Sequence, residues 1–448
     1  MKIFIIMREL FTLSLLLLLS TSLGAQEMTL DDCIAYAVEN NFDVKSKTIE
    51  RANAKIDYEN AILDLLPSVT GYVSPYFSFG RGVDPATNSY INTSTFSNGV
   101  SASGSLPIFA GFRYINQVRS SKISKLRGED ALQRAKDEVA EKTMMAYATV
   151  IYNGELVTLY EKRIETYRID LKRLQREYEL GAGAKSDMLQ LQATLATEEY
   201  SAITARNNLE ISIIELKDCM NYPLDDELLI SKVISNTEVN NTNTESIVEY
   251  ALKNSISVQL ADKDLSISEL NLKIAQGSYY PTITLSGGIS SSYYKNLTAG
   301  VYDAFATQLK DNLGEWVGVS VSVPIFNGLS VRKNVKTAKN NLQLARDTHS
   351  NTIRTLESEI RKATMELEAA FQKQLQAEQT AKYQREANAA VHKRYMSRFV
   401  SIIELQTSDN DLFNAEAELR YSQLSYQIKL REVNYYNGIP YFTLSSGK

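Results

Sequence analysis

The chain has little of the chemistry that enzymes and metal sites use. Only two cysteines and two histidines occur among its 448 residues, and His349 and His392 have no cysteine or carboxylate beside them at ligand spacing. It contains no G-x-S-x-G, Walker A or H-E-x-x-H motif, and no Cys/His pair is placed for nucleophilic chemistry. The sequence therefore predicts no enzyme, no metal centre and no cofactor.

Long apolar runs are missing outside the N-terminus. There, Lys2 and Arg8 precede an apolar run, and small residues follow as far as Ala25. This pattern is typical of a secretory signal peptide over residues 1–25, because the run is too short to span a bilayer. Removal of residues 1–25, which include Lys2, Arg8 and Glu9, changes the formal net charge of the chain from −5 to −6. A negative chain indicates no nucleic-acid partner. Any membrane contact must then be made by β-strands.

The two cysteines, Cys33 and Cys219, both follow this signal and would be exported. An oxidising compartment allows a disulfide between them. The alternative is that each is a small core residue with a free thiol. The sequence leaves both possibilities open.

Proline is absent between Pro107 and Pro223. A helix from Gly111 to Glu179, about 100 Å long at about 1.5 Å per residue, can therefore run without a break. Apolar residues recur along it at alternating spacings of three and four, which is the pattern of a coiled-coil seam. They are Val157, Tyr160, Ile164, Tyr167, Leu171, Leu174 and Tyr178.

Two glycines end this helix. Gly181 and Gly183 predict a left-handed helix end and a sharp turn, and helical spacing resumes at Ser186. The return helix repeats Met188 and Leu195 at seven-residue spacing. A long antiparallel helical hairpin is expected.

Upstream of the long helix the apolar period changes to two. Residues from Val69 to Phe79 alternate between apolar and polar, as do those from Val100 to Ile108, which is typical of two strands. The polar segment from Arg81 to Gly99 between them is predicted to be a long loop. The pattern indicates a β-hairpin.

The same order then returns. Pro67 is matched by Pro281, 214 residues later, and Pro107 by Pro324, 217 residues later. The chain is therefore interpreted as two copies of one unit. The predicted segments are the signal peptide 1–25, the first repeat 26–230, an Asn/Thr/Ser-rich linker 231–246, the second repeat 247–440 and a tail 441–448.

Each repeat supplies two strands, and the second pair is predicted at 282–294 and 316–325. Four strands do not close a barrel, which needs about eight. If they span a membrane, two copies of the chain give eight strands and three give twelve. The alternative is a soluble sheet packed on helices.

At this point the chain resembles the TolC family of outer-membrane efflux and secretion channels. The resemblance rests on the repeat and on the stretches LPIFAGF, VPIFNGL, YELGAGAKSDM, TARNNL and NYP. It implies a mainly α fold with a membrane β part, in which long α-helical hairpins form a periplasmic tunnel. It also implies a homotrimer with a shared 12-stranded β-barrel in the outer membrane of a Gram-negative bacterium. Such channels passively conduct substrates delivered by a periplasmic adaptor and an inner-membrane pump.

The resemblance also implies functional residues. The acidic positions of the periplasmic constriction fall on Asp187 and Glu404, which are 217 residues apart, and the gating tyrosine falls on Tyr395. The hairpin tips that we expect to receive the adaptor contain Gly181, Gly183 and Arg398. The sequence departs from the family at Val400, Thr407 and Arg398, where an arginine, an acidic residue and a glycine are usual.

Other interpretations remain open. Asp187 and Glu404 each lie in the first turn of a predicted helix, where a carboxylate is favourable whatever the function. The rival function is a periplasmic coiled-coil scaffold or adaptor without a pore. The sequence does not identify the transported substrate, which in this architecture can be a drug, a metal ion or a polypeptide.

Overall fold

The computed structural model describes residues 27–84, 88–231, 243–298 and 303–442. The predicted signal peptide, the tail beyond 442 and most of the predicted linker lie outside these ranges. None of the helices in the described ranges is both long enough and apolar enough to cross a membrane.

The described elements follow one order twice, with one additional helix. The first series is α1 (Leu30–Asn40), α2 (Phe42–Leu63), β1 (Ser68–Asp84), β2 (Ser89–Ala110), α3 (Arg113–Glu179) and α4 (Lys185–Met220). The second is α5 (Thr244–Asn254), α6 (Ile256–Gly277), β3 (Thr282–Asn296), the additional α7 (Phe305–Asp311), β4 (Gly314–Ser322), α8 (Ser330–Met396) and α9 (Ile402–Tyr436). The long helices α3 and α8 both have 67 residues. The predicted mainly α fold with an internal repeat and four strands is confirmed.

The chain divides into two compact units. The first comprises Met1–Ile49, Ala131–Val258 and Thr352–Lys448, and the second comprises Glu50–Asp130 and Gln259–Asn351. The first unit is helical, and its buried residues form separate clusters along the helices, as a coiled-coil seam requires. One cluster includes Tyr167, Leu174 and Tyr395 at the ends of α3 and α8.

The glycine of each predicted strand-to-helix motif makes a left-handed turn. Gly111 and Phe112, just before α3, both have φ of +62°, and Gly328 and Leu329, before α8, have φ of +62° and +66°. A Cβ at Gly111 would clash with the backbone of Gly277, so no other residue fits there. Gly328 has open space around it, so there only the left-handed backbone conformation favours glycine.

The second unit contains an antiparallel sheet in the order β1-β2-β3-β4. Each repeat supplies one hairpin, and β2 pairs with β3 across the repeats, for example at Val100 and Ser291. The edge strands β1 and β4 expose many of their apolar residues in a single chain. These are Val69, Val73, Phe77, Phe79, Trp316, Val317, Val319 and Val321.

The prediction of a long loop from Arg81 to Gly99 is wrong. β1 and β2 stay paired as far as Asp84 and Ser89. Backbone pairing does not require apolar side chains, and threonine, which is frequent in this segment, fits a strand well. Because the segment is polar, hydropathy alone does not predict the half of the hairpin that lies next to its turn.

The second hairpin differs from the first because β4 is shorter than β3. Beyond the last β3–β4 pair, Ser290 with Gly314, the backbone of β3 is satisfied by side chains of α7 and its C-cap. The Gln308 amide both accepts from the Tyr294 N–H (2.9 Å) and donates to its carbonyl (3.0 Å), and Asn312 donates to the Ser292 carbonyl (2.7 Å). α7 thus covers the part of β3 that β4 leaves unpaired.

The disulfide that the exported location allows is not formed. Cys33 and Cys219 are both free thiols. Cys33 is completely buried in the cluster that also contains Tyr147 and Leu216, and burial raises the pKa of its thiol to about 12. A thiolate is needed to form a disulfide, so this environment disfavours the reaction.

Candidate gate at the helical hairpin tips

Both helical hairpins end in the same turn. At the first tip, Gly181 has φ of +70° and donates to the Tyr178 carbonyl (2.9 Å). At the second, Arg398 has φ of +62° and donates to the Tyr395 carbonyl (2.9 Å). The amide of the following residue donates to a carbonyl one residue earlier in the helix, Ala182 to Glu177 and Phe399 to Arg394. Each tip therefore has a Schellman motif.

Gly183 has a different role from Gly181. It does not have a positive φ, but a Cβ there would lie 3.1 Å from the Tyr178 amide nitrogen and 3.2 Å from the Glu177 Cβ. Gly181, in contrast, has open space around it. The first tip therefore needs one glycine for its backbone conformation and the other for close packing.

The two acidic residues lie in the first turns of the return helices. In α4, the Ser186 hydroxyl donates to the Asp187 carboxylate (3.1 Å). In α9, the Ser401 hydroxyl caps the helix by accepting from the Glu404 N–H (3.2 Å), while the Glu404 carboxylate lies 3.4 Å from Arg394. Both carboxylates therefore have a local structural role near a helix N-terminus.

Tyr395 is buried in the tip cluster with Tyr167 and Leu174. Burial raises the pKa of the Tyr395 hydroxyl, Arg173 opposes this rise through a hydrogen bond and its charge, and the negative charges of Asp170 and then Asp187 add to it. Asp187 and Tyr395, 208 positions apart in sequence, thus affect each other electrostatically. Glu404 is exposed and pairs with Arg394 instead.

The sequence analysis missed Arg173. Its guanidinium lies over the Tyr395 ring at 5.1 Å, and it pairs with Asp170 (3.4 Å) and Glu177 (3.0 Å) on its own helix. Glu177 also pairs with Arg398 of the second tip at 3.4 Å. The spacing of these three α3 residues by three and four is a sequence signal for the ion pairs, although it does not reveal the tyrosine.

A second polar layer joins α3 to the return helices α4 and α9. Arg163 pairs with Glu198 at 3.1 Å, both side chains being nearly buried, and stacks on Tyr167 and Phe413. Burial raises the pKa of the Glu198 carboxyl more than the charge of Arg163 lowers it. The layer therefore specifies how the helices pair, while the cost of burying the carboxylate offsets the attraction between the charges.

Asp409 and His392 connect the two layers. Asp409 accepts from the Asn388 amide (2.7 Å), and burial raises the pKa of its carboxyl. His392 lies 3.7 Å from the buried carboxylate of Asp170. These ion pairs and ring contacts can stabilise the packing of the helices against one another.

The polar layers do not form a metal site, since no group of three or more His, Cys, Asp or Glu side chains suited to a metal occurs among the described residues.

The departures from the family pattern have local explanations. Val400 packs against the apolar tip cluster, where an arginine would be buried without a carboxylate of its own. The Thr407 hydroxyl donates to the Ile403 carbonyl (2.9 Å) within α9. Arg398 takes the left-handed conformation usually reserved for glycine.

Comparison with known proteins gives the family. The family model described as "Outer membrane efflux protein" matches residues 34–221 and 247–436. Outer membrane protein TolC of Escherichia coli is 26% identical over 305 residues, which cover 64% of this chain and 59% of TolC. The chain thus spans about three fifths of that relative. The cation efflux system protein CusC of Escherichia coli is 20% identical over 419 residues, covering 91% of this chain and 85% of CusC.

The fold agrees with solved outer-membrane channels. The CmeC outer membrane channel of Campylobacter jejuni has a TM-score of 0.81 at 19% identity, covering 93% of this chain and 87% of CmeC. VceC of Vibrio cholerae has a TM-score of 0.77 at 14% identity, covering 92% and 96% of the two chains. The chain therefore belongs to the outer membrane efflux protein family, whose members are channels, not enzymes, of the outer membrane of Gram-negative bacteria with a large periplasmic portion.

Proposed function

We propose that the protein is the exit duct of a tripartite efflux or type I secretion system. It passively conducts substrates from a periplasmic adaptor and an inner-membrane pump to the exterior. TolC and CusC, to which the chain is similar, support this function, and the name of CusC describes a cation efflux system.

The observation that carries the proposal is the open sheet. β1 and β4 are edge strands, and their apolar side chains, such as Val73 and Val319, are exposed in one chain. Apolar surface of this extent is stable against lipid, and an unpaired strand edge in lipid is costly. Two copies that join β1 to β4 would make eight strands, and three would make a closed 12-stranded barrel. Of these we propose the homotrimer, which membership of the family implies.

Within this proposal the hairpin tips form the periplasmic gate. Asp187 and Glu404 contribute acidic rings to the constriction, which favour cations. Tyr395 is the gating tyrosine, and Arg173 is the cation that holds it closed, in place of the arginine that is usual at Val400. The layer of Arg163 and Glu198, further along the same helices from the tips, resists opening of the gate in the absence of the adaptor.

The tips also receive the adaptor. Next to the left-handed residues Gly181 and Arg398, each tip exposes one large apolar side chain, Leu180 (77% exposed) and Phe399 (78% exposed). Gly183 keeps the first tip compact enough to present Leu180. Burial of these two side chains against the adaptor would remove apolar surface from water, which favours docking at the tips.

Conductance tests the pore and the gate together. The full-length protein, purified in maltoside detergent, is inserted into a planar bilayer, and its mass is checked for a trimer. Wild type should give discrete steps, and the double variant Asp187→Ala/Glu404→Ala should show larger steps with reduced cation preference. The control Asp225→Ala/Glu227→Ala removes the same charge from an exposed segment and should match wild type.

Folded, trimeric protein that gives no steps would refute the channel proposal. Equal steps in wild type and the tip variant would refute the acidic constriction and leave the pore intact. For docking, Leu180→Ser/Phe399→Ser should lower chemical cross-linking to the cognate adaptor at least fivefold, whereas Leu180→Met/Phe399→Leu should retain it. Unchanged cross-linking of the serine variant would exclude the tips as the docking site.

A further inference from the structure

A cleft in the first unit, separate from the residues of the proposed gate, has an acidic and aromatic lining. It has a volume of about 240 Å³ and lies between α3, α5 and the end of α9. An apolar cavity of about 150 Å³ already admits a benzene-sized molecule, so the cleft has room for a small organic ligand. Its principal lining residues are Gln133, Asp137, Tyr250, Tyr435, Tyr436 and Pro440.

Asp137 is the only carboxylate among the residues that line the cleft, and it is 5% exposed. One oxygen accepts from the Gln133 amide (2.9 Å) and the other from the Tyr435 hydroxyl (2.9 Å). A carboxylate has about four acceptor positions, so these two bonds leave capacity for a further donor. Burial raises the pKa of Asp137, and the two hydrogen bonds oppose that rise.

The cleft supplies no positive charge to this carboxylate. None of its lining residues is a lysine or an arginine, and none of the described basic side chains forms an ion pair with Asp137. The neighbouring charges of Lys136 and Glu138 affect its pKa in opposite directions. A buried carboxylate without a cationic partner is unfavourable unless it is protonated or a cation binds beside it.

The aromatic walls are held in place. Tyr435 stacks on Tyr441 with ring centres 4.6 Å apart and planes 8° apart, and its hydroxyl is fixed by Asp137. Tyr250 packs directly over Gly438, where a Cβ would clash with its ring. Tyrosine faces in fixed positions attract cations through their negative π surfaces.

We propose that this cleft binds a small organic cation with an alkylammonium head, whose charge lies beside Asp137 and whose alkyl groups contact Tyr250, Tyr435 and Tyr436. A metal ion would need several ligands, and no group of three or more His, Cys, Asp or Glu side chains suited to a metal occurs in the part of the chain that the structure describes. A neutral ligand would leave the carboxylate without a counter-charge. The site is independent of the proposed conduction and of its gate.

Choline and its uncharged analogue 3,3-dimethylbutan-1-ol test the proposal, because they share shape and differ in charge. Titration calorimetry uses the full-length protein in a maltoside detergent, which carries no ammonium group. Choline should bind wild type at least tenfold more tightly than the alcohol. Asp137→Asn should weaken choline binding at least tenfold, and Glu165→Gln, on the same helix, exposed and outside the cleft, should leave it unchanged.

Thermal melting checks that each variant is folded. If Asp137→Asn is unfolded, Tyr250→Ala, at a position 42% exposed on the cleft rim, replaces it and should also weaken choline binding at least threefold. Failure of wild type to bind choline would overturn the proposal. So would equal binding of the alcohol, or full binding by a folded Asp137→Asn variant.

Discussion

The guanidinium of Arg173 lies 5.1 Å from the centre of the Tyr395 ring. This contact joins the last turns of α3 and α8, one from each repeat, and Arg173 has its two carboxylate partners on α3. Because Asp170 and Glu177 lie on the same helix as Arg173, they hold its guanidinium against the ring, and separation of α3 from α8 must break the stack on Tyr395. Arg173 is therefore the residue on which we expect tip stability to depend most.

Replacement of Arg173 by alanine should loosen the tip locally. It removes the stack on Tyr395 and leaves the buried carboxylate of Asp170 without its guanidinium, at a cost of about 2 kcal/mol. Hydrogen exchange of the amides in the last two turns of α8 should accelerate about thirtyfold, since about 1.4 kcal/mol corresponds to a factor of ten. Arg168→Ala is the matched control, because its pair with Glu199 is exposed. Equal exchange in the two variants would contradict this prediction.

We expect opposite effects on stability when glycine is removed from the first tip turn and when it is introduced into the second. Gly181→Ala places a Cβ in a left-handed conformation and should destabilise the turn by about 1 kcal/mol. Arg398→Gly relieves the same strain and should stabilise its turn by about 0.5 kcal/mol, because its exposed pair with Glu177 contributes little. Hydrogen exchange at residues of each turn measures both effects. A destabilising Arg398→Gly would mean that the ion pair outweighs the strain.

Asp409 should make stability depend on pH. Burial raises its pKa in the folded protein, so folding favours the protonated carboxyl. Its stabilising contribution is present at low pH and is lost as the pH rises from about 3.9, the usual aspartate value, through the raised folded pKa. Asp409→Asn keeps an acceptor for Asn388, and its melting temperature should exceed that of wild type at pH 7 and equal it at pH 4.

The control for this experiment is Asp411→Asn, two positions further along α9 and exposed. It should shift the melting curve little at either pH. Arg163 and His392 both lower the pKa of Asp409, so removing either should enlarge the pH dependence. An Asp409→Asn variant that is less stable than wild type at pH 7 would show that the ionised carboxylate contributes a net attraction to Arg163.

We expect the two free cysteines to react at different rates with a thiol reagent. At pH 8, Ellman's reagent should leave Cys33 unmodified in the folded protein, because the thiol is completely buried and its pKa is raised to about 12. Cys219 is partly exposed and should react slowly, since burial also raises the pKa of its thiol. Denatured protein should show both thiols without prior reduction. A need for reductant would indicate a disulfide.

The repeat and the helical hairpins were predictable because they depend on local rules. Heptad spacing, the absence of proline between Pro107 and Pro223, and glycine at position 181 each act over a few residues. The strand-to-helix motifs are recognisable from their residues. Only the structure gives the physical reason for Gly111, because a Cβ there would clash with the Gly277 backbone, whereas Phe112 adopts the same φ as a non-glycine residue.

The errors and omissions have a common origin. The sequence predicts a loop from Arg81 to Gly99, although β1 and β2 pair as far as Asp84 and Ser89, because hydropathy does not report backbone pairing. The sequence does not decide the disulfide either, because sequence separation does not tell where Cys33 points. The cleft around Asp137 brings together residues from α3, α5 and the end of α9, which no local pattern connects.

The sequence by itself determined the repeated order of elements, the long helices and the positions of the tips, since periodicity and backbone preference are properties of neighbouring residues. Tertiary structure alone decided which groups meet: Arg173 with Tyr395, Arg163 with Glu198, and Asp137 with no ion-pair partner among the described basic side chains. The physical reason is that the energy of a charge depends on burial and on partners from other helices, and both exist only once the helices have packed.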